Sequence, residues 1–170
     1  IFRQSQESSI IVNAHLIRKG QYPVYGGDFE IVRADKQADI LEQIVRLASS
    51  MDLDRVQVLT PVKKGILGSG NLNVKLQEKF NPAQTGREQI EFGNTVFRTG
   101  DRVMQIKNNY RLEYKKQDGT SGKGVFNGET GIVAAVHSQE QRLTVCYDGE
   151  RWVEYEYIHL DEIELAYAVT

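Results

Sequence analysis

The chain has 170 residues, of which 40% are hydrophobic and 26% are charged, proportions typical of globular domains. Its length allows one or two domains, and no apolar run approaches the roughly 20 residues of a membrane span, so no membrane partner is expected. The net charge of −2 excludes a globally basic nucleic-acid binder, and the single cysteine, Cys146, excludes an internal disulfide and favours a reducing, cytoplasmic location.

Charge is distributed unevenly along the chain. Residues 101–124 carry six Lys/Arg against three Asp/Glu, whereas residues 125–170 carry two against nine. We therefore expect any anion-binding face to be local and to exclude the last third of the chain.

The first half alternates between helical and strand patterns. The stretch SSIIVNAHLIRKG has helical spacing and stops at Gly20, and FEIVRA predicts a short strand. DILEQIVRLASSMD predicts an amphipathic helix, and RVQVLTPV a short strand that ends at Thr60-Pro61. After a Gly-rich turn, Leu72, Leu76 and Phe80 predict a further helix that Asn81-Pro82 ends. This order predicts a layered α/β fold whose partner strands come from elsewhere.

The second half has a different period. From about residue 90, short strands alternate with Gly/Asn/Asp turns at a spacing of roughly 8–12 residues, which predicts a small all-β barrel. The segment DGTSGKG at 118–124 predicts a polar hairpin tip, and IELAYAVT reads as a strand again. We predict an α/β segment at 1–82, an inserted barrel at 83–163 and a strand at 164–170 that returns to the first layer.

Complete catalytic motifs are missing from the sequence. It contains neither G-x-x-x-x-G-K-[ST] nor G-x-G-x-x-G, and His15, His137 and His159 lack neighbours at metal-ligand spacing, so no metal site is predicted. Cys146 reads as a half-buried thiol in a strand. The chain alone is therefore not expected to hold a complete active site.

Three stretches could nevertheless contribute to a site. Arg3, followed by Gln4, offers a planar fork of donors suited to phosphate; the alternative, which the residues alone favour, is a surface arginine. The segment from Thr60 and Pro61 to Lys63 and Lys64 follows a strand, where α/β folds place ligand contacts; the alternative is a plain turn with solvated lysines.

The third stretch is GDRVMQIKNNY at 100–110. It joins basic residues and the amides of Asn108 and Asn109 to the aromatic ring of Tyr110, a combination suited to phosphate pairing and base stacking on single-stranded nucleic acid. A barrel strand followed by a turn is the alternative. The dipeptide Asn127-Gly128 reads as a tight turn.

Taken in order, these stretches resemble one family. They are IFRQ at 1–4, VQVLTPVKKG at 56–65, GDRVMQIKNNY, VFNGETGIV at 125–133 and ELAYAVT at 164–170. Together they resemble the second motor domain of RecD-type superfamily 1 DNA helicases, whose relatives include the exodeoxyribonuclease V alpha subunit of DNA repair and recombination. The resemblance implies an incomplete RecA-like α/β motor domain with an inserted small SH3-like β-barrel, cut from a longer parent at both ends.

The resemblance also implies an enzymatic role for the parent, an ATP-dependent DNA helicase that hydrolyses ATP with Mg²⁺. By resemblance, Arg3 is a catalytic residue that reaches the γ-phosphate of ATP, and Gln4 supports it in ATP binding. The first motor domain of the same parent would hold most of the nucleotide, so the fragment alone is expected to bind no cofactor and to be inactive.

A path for DNA is implied in the same way. The family moves 5′ to 3′ along single-stranded DNA, and the resemblance makes Thr60, Pro61, Lys63, Lys64, Asn108 and Asn109 candidate DNA-binding residues. The barrel would press on DNA or on protein partners. A different hypothesis stays open, that of a stand-alone small-barrel module that binds nucleic acid or protein without catalysis.

Overall fold

The computed structural model describes residues 8–170. The predicted ATP-binding residues Arg3 and Gln4 lie outside the described residues. The chain forms two compact units, residues 1–36 and residues 37–170.

The described part of the first unit is built around one helix. Helix α1, Ser9–Arg18, confirms the prediction from the SSIIVNAHLIRKG pattern. Its buried Asn13 fixes the following segment, because the amide donates to the carbonyl oxygen of Val24 at 2.8 Å and accepts from the Val24 N–H at 2.7 Å. The predicted FEIVRA strand is wrong: Phe29 makes one isolated bridge to Gly26, and residues 8–36 contain no strand that could extend the pairing.

The second unit begins with α/β elements. It contains helix α2 (Gln37–Ser49), strand β1 (Val58–Leu59), helix α3 (Ser69–Phe80) and, at the other end of the chain, strand β11 (Ala168–Val169). Both helices confirm the sequence prediction. Strands β1 and β11 pair in parallel, with Val58 opposite Ala168, so the end of the chain does return beside β1.

The second unit also contains an antiparallel sheet of seven strands and a separate hairpin of two strands. The order in the large sheet is β10-β4-β7-β8-β9-β5-β6. Its strands are β4 (Arg102–Gln105), β5 (Asn109–Lys116), β6 (Ser121–Val125), β7 (Thr130–His137), β8 (Arg142–Tyr147), β9 (Arg151–Glu156) and β10 (Ile163–Leu165), and the hairpin is β2 (Gln89–Phe92) with β3 (Thr95–Arg98).

Two details of the predicted barrel need correction. The sheet is open among the described residues, because β6 and β10 are its edge strands and do not pair with each other, so no closed barrel forms. The segment 118–124 is only partly a hairpin tip, since residues 121–124 continue as β6 along β5. The sequence of β6 is polar and rich in glycine, so it lacks the alternation of apolar residues by which a strand is predicted. The strand forms through backbone hydrogen bonds to β5.

The hydrophobic core lies entirely in the second unit as far as the chain is described. Leu72 and Leu76 on one face of α3 pack with the inward side chains of the sheet. The largest fully buried side chains include Tyr147, Tyr155, Phe97, Leu72, Leu76, Leu143 and Leu160. Burial raises the pKa of the Tyr147 and Tyr155 hydroxyls, which hydrogen-bond each other at 2.8 Å.

Polar side chains of α3 bind the returning end of the chain. The Asn73 amide donates to the carbonyl oxygens of Leu165 at 2.8 Å and Ala168 at 2.9 Å, and it accepts from the Ala168 N–H at 2.8 Å. These buried hydrogen bonds replace water for backbone groups at the end of β10 and within β11. They hold β11 in register beside β1.

A buried carboxylate joins α3 to the large sheet. Asp101 is fully buried and accepts four hydrogen bonds: from Gln77 Nε2 at 2.6 Å, Asn81 Nδ2 at 2.7 Å, the Arg98 N–H at 2.7 Å and the Tyr167 hydroxyl at 2.9 Å. Burial raises the pKa of that tyrosine, and the neighbouring Asp101 raises it further. We call Asp101, Gln77, Asn81 and Tyr167 the Asp101 cluster.

Candidate nucleic-acid interface

The loop from Thr60 to Gly68 connects β1 to α3 and carries four of the predicted DNA-binding residues. Its start is held in place because the Thr60 N–H donates to the carbonyl of Val169 at 3.0 Å, and the Thr60 hydroxyl donates to the carbonyl of Leu67 at 2.7 Å. Thr60 is buried, so its side chain shapes the loop.

The loop folds back onto the first turn of α3. The N–H groups of Ser69 and Gly70 donate to the carbonyls of Val62 and Lys63, at 3.0 and 3.3 Å. Two N–H groups that a helix leaves unpaired at its start are therefore used to hold the loop.

Gly68 permits this close return. A Cβ at that position would lie 2.6 Å from the carbonyl oxygen of Lys63 and 2.6 Å from the carbonyl carbon of Lys64. No side chain fits between these backbone atoms. The fold of the loop therefore requires glycine at position 68.

The charged side chains point outward from this rigid loop. Pro61, Lys63 and Lys64 are exposed, and the Lys63 side chain keeps 66% of its accessible surface. Its ammonium lies 3.9 Å from Glu164 Oε2, a distance at which an exposed ion pair contributes little. The lysines are therefore accessible to an anionic ligand.

A groove of about 590 Å³ runs beside Lys63. It is lined by the first turns of α3, the turn between β2 and β3, and the side chains of Arg98, Glu78 and Glu164. Its lining holds two cationic and two anionic side chains, so the groove itself is not strongly basic. The basic character of this region comes from the loop.

Asn108 and Asn109 have structural partners. Asn109 donates to both carboxylate oxygens of Glu162, at 3.0 and 2.9 Å, and accepts from the N–H groups of Arg111 and Leu112. Asn108 accepts from the Asn127 N–H at 2.9 Å. Neither residue lines the groove beside Lys63.

Acidic neighbours offset much of the basic stretch 101–124. Lys107 pairs with Asp161, Lys123 lies 2.7 Å from Glu113, and Lys116 lies 4.0 Å from Glu150. The Lys123 ammonium lowers the pKa of the Glu113 carboxyl. The charge count of the sequence does not show this pairing, because Asp161 and Glu150 lie outside the stretch and Glu113 meets Lys123 only when β5 pairs with β6.

One feature of this region was not predicted. Phe126 lies beside Tyr110, with ring centroids 5.3 Å apart and ring planes at 69°, and both rings are exposed. The sequence pointed to Tyr110 alone. The signal for Phe126 was its position directly before the Asn127-Gly128 turn.

Two classes of feature are missing among residues 8–170. No group of three or more His, Cys, Asp or Glu side chains in that range is arranged to hold a metal ion. In the same range, no helix has the length and apolar character that crossing a bilayer requires.

Comparison with known proteins identifies the class of the sheet. Residues 72–147 match the model of the SH3 domain of ATP-dependent RecD-like DNA helicases. The match spans most of α3 and the strands from β2 to β8. This match confirms the prediction that the chain contains a small SH3-like domain. The predicted boundaries, residues 83–163, remain a prediction.

The similarity extends over the whole chain. It is 34% identical over 173 residues to the ATP-dependent RecD2 DNA helicase of Deinococcus radiodurans, in a match that covers 100% of this chain and 22% of that relative. The resemblance to RecD-like helicases that the motifs predicted is thus confirmed, and it extends over the whole chain. It spans about a fifth of the length of this relative.

A solved structure is also similar. It is a double mutant of the Pif1 helicase from Bacteroides, with a TM-score of 0.46 and 19% identity, covering 100% of this chain and 40% of that structure. Nothing further rests on this likeness.

Proposed function

We propose that the chain is part of the motor of an ATP-dependent DNA helicase that moves 5′ to 3′ on single-stranded DNA in repair or recombination. Similarity to an ATP-dependent RecD2 DNA helicase supports the enzyme class, and the parallel pair β1–β11 with α2 and α3 supports an incomplete RecA-like layer. In this proposal the SH3-like domain is an insertion between β1 and β11.

The ATP side of the proposal depends on Arg3 and Gln4. An arginine that reaches a γ-phosphate stabilises the charge that develops during phosphoryl transfer. ATP and Mg²⁺ would be held mainly by the first motor domain of the parent, and residues 1–170 alone would hydrolyse no ATP. We also propose a location in the cytoplasm, where ATP, Mg²⁺ and DNA are available to the parent.

The DNA side is carried by one observation, the exposed lysines on the rigid loop between β1 and α3. Lys63 and Lys64 follow a parallel strand at its carboxyl end, where α/β folds bind ligands. Phosphate contact by such lysines gives affinity without sequence preference, which a translocating motor requires. Thr60 and Pro61 would then position the loop on the backbone of the DNA.

Replacing both lysines tests this DNA contact. We expect Lys63→Ala/Lys64→Ala to weaken binding of the 170-residue chain to a fluorescent oligo-dT at low salt. The slope of log K against log[salt] is negative, and each lost phosphate contact reduces its magnitude by about 0.7. The slope of the double variant should therefore be smaller in magnitude by roughly 1.4. Fluorescence anisotropy over a salt series measures both quantities.

A matched control is available on α3. Lys75 and Lys79 are exposed on that helix, outside the loop residues 60–68, and Lys75→Ala/Lys79→Ala removes the same number of positive charges. An equal change in slope for both double variants would contradict a specific contact at the loop, because it would reflect net charge alone.

Binding of a protein partner is a second candidate function, and the acidic region 125–170 favours it. Residues 125–170 are strongly acidic, and Ile158, 70% exposed, lies close in sequence to Glu154 and Glu156. Acidic surface repels phosphate and suits a basic protein segment. A stand-alone binding module would show a clear preference for structured RNA or for a protein over single-stranded DNA in a competitive titration.

A further inference from the structure

We propose that Tyr110 and Phe126 form a stacking platform for the bases of single-stranded DNA. This inference rests on the proposed function, since it adds a base contact to the phosphate contact at Lys63 and Lys64. The exposed rings are the first evidence: Tyr110 exposes 70% of its surface and Phe126 exposes 38%. The Tyr110 hydroxyl makes no hydrogen bond with any described residue.

The two rings are held together by rigid backbone. Asn108 accepts from the Asn127 N–H at 2.9 Å, which ties the segment before Tyr110 to the turn after Phe126. That turn is closed by the Glu129 N–H donating to the Phe126 carbonyl at 3.1 Å. It is also anchored to β4, because the Gly128 N–H donates to the Gln105 carbonyl at 2.8 Å.

Gly124 supports the position of the Phe126 ring. Its φ of +108° is a conformation that side chains rarely adopt, and a Cβ there would lie 2.9 Å from the tip of the ring. The Phe126 ring therefore lies directly against the backbone of β6. Such preorganisation lowers the entropy that a ligand loses in ordering the site.

The surroundings favour a nucleobase over an apolar peptide. The neighbours in sequence are polar or cationic: Asn108, Asn109, Arg111 and Asn127. The Arg111 side chain is exposed and forms no ion pair with a described residue, so it is available for a phosphate. An aromatic face beside a cation is the combination that binds single strands without reading their sequence.

The test compares two ligands and measures what the rings contribute. The 170-residue chain is titrated with fluorescent oligo-dT and with an abasic oligomer of the same length, which keeps the phosphates and lacks the bases. We expect Tyr110→Ala and Phe126→Ala each to weaken oligo-dT binding roughly 5- to 100-fold and to leave abasic binding nearly unchanged. Tyr110→Phe keeps the ring and should bind like the unmodified chain.

Controls separate this proposal from the proposed function. Tyr22, 95% exposed in the first unit, gives the matched variant Tyr22→Ala, and circular dichroism verifies that each variant is folded. Equal affinity of the unmodified chain for both oligomers would overturn the platform while the phosphate contact stands. Unchanged oligo-dT affinity in Tyr110→Ala would do the same. Failure of the unmodified chain to bind either oligomer would overturn both proposals.

Discussion

Single polar side chains in this protein satisfy backbone groups that are distant in sequence. Asn73 binds Leu165 and Ala168, and Arg102 donates to the carbonyls of Leu53 and Val56 at 2.9 and 2.8 Å. Such contacts explain why amides and charges occur in stretches that pack against the core. A family motif can therefore contain residues that build the site and never touch the ligand.

Asp101 gives a prediction at this scale. Asp101→Ala removes the shared acceptor of four donors, although the amides of Gln77 and Asn81 each keep one backbone carbonyl, so we expect the free energy of unfolding to fall by about 3 kcal/mol. Urea denaturation followed by circular dichroism measures it. The exposed Glu91 on β2 supplies the control, since Glu91→Ala should change stability by at most about 0.5 kcal/mol. A loss below about 1 kcal/mol in Asp101→Ala would show that water or side-chain movement replaces the carboxylate.

At the scale of elements, the loop between β1 and α3 combines rigidity with exposed charge. Its backbone is held by β11, by the first turn of α3 and by the Thr60 hydroxyl, while the lysines remain exposed. A charge on a fixed loop loses little conformational entropy when it meets a phosphate. The geometry of the loop therefore matters to DNA affinity as much as the two lysines do.

Gly68 and Gly70 offer a matched pair of substitutions in this element. Gly68→Ala forces a methyl group against the backbone of Lys63 and Lys64, so we expect a loss of about 1–3 kcal/mol in stability and weaker oligo-dT binding. In Gly70→Ala the added Cβ lies 3.4 Å from the Lys63 carbonyl oxygen, and helix propensity should leave stability unchanged or raise it by up to about 1 kcal/mol. Equal effects of the two would contradict the steric role of Gly68.

At the scale of the whole molecule, the two compact units differ in how much core they contain. Every buried hydrophobic side chain among the described residues belongs to the second unit, whereas the first buries only Asn13. Since apolar burial is the main favourable contribution to folding, the second unit should hold nearly all of the stability.

Removing residues 1–36 tests this division. We expect residues 37–170 to unfold in one cooperative transition at nearly the same urea midpoint as the full chain, because no described core side chain is lost. Denaturation curves of the two proteins, recorded by circular dichroism and by Trp152 fluorescence, provide the comparison. Loss of cooperativity on truncation would mean that the first unit contributes to the fold of the second.

The sequence by itself determined most local elements and the resemblance to RecD-like helicases. Periodic apolar residues predicted the three α-helices of residues 8–170, alternating residues predicted most strands of the large sheet, and the ordered motifs carried the resemblance. These signals are local or additive along the chain, so one sequence carries them. The prediction of a strand at FEIVRA was wrong because a strand forms only when it pairs with another strand. The alternation of apolar residues in FEIVRA carries no information about whether such a partner strand is present.

Tertiary structure alone decided which residues meet. It joined Asp101 to Gln77, Asn81 and Tyr167, paired Lys107 with Asp161 and Lys123 with Glu113, left the described sheet open, and brought Phe126 beside Tyr110. Hydrogen bonds, ion pairs and ring contacts act over a few ångströms. The residues that make them here are separated by many positions in the chain, so only folding determines the pairs.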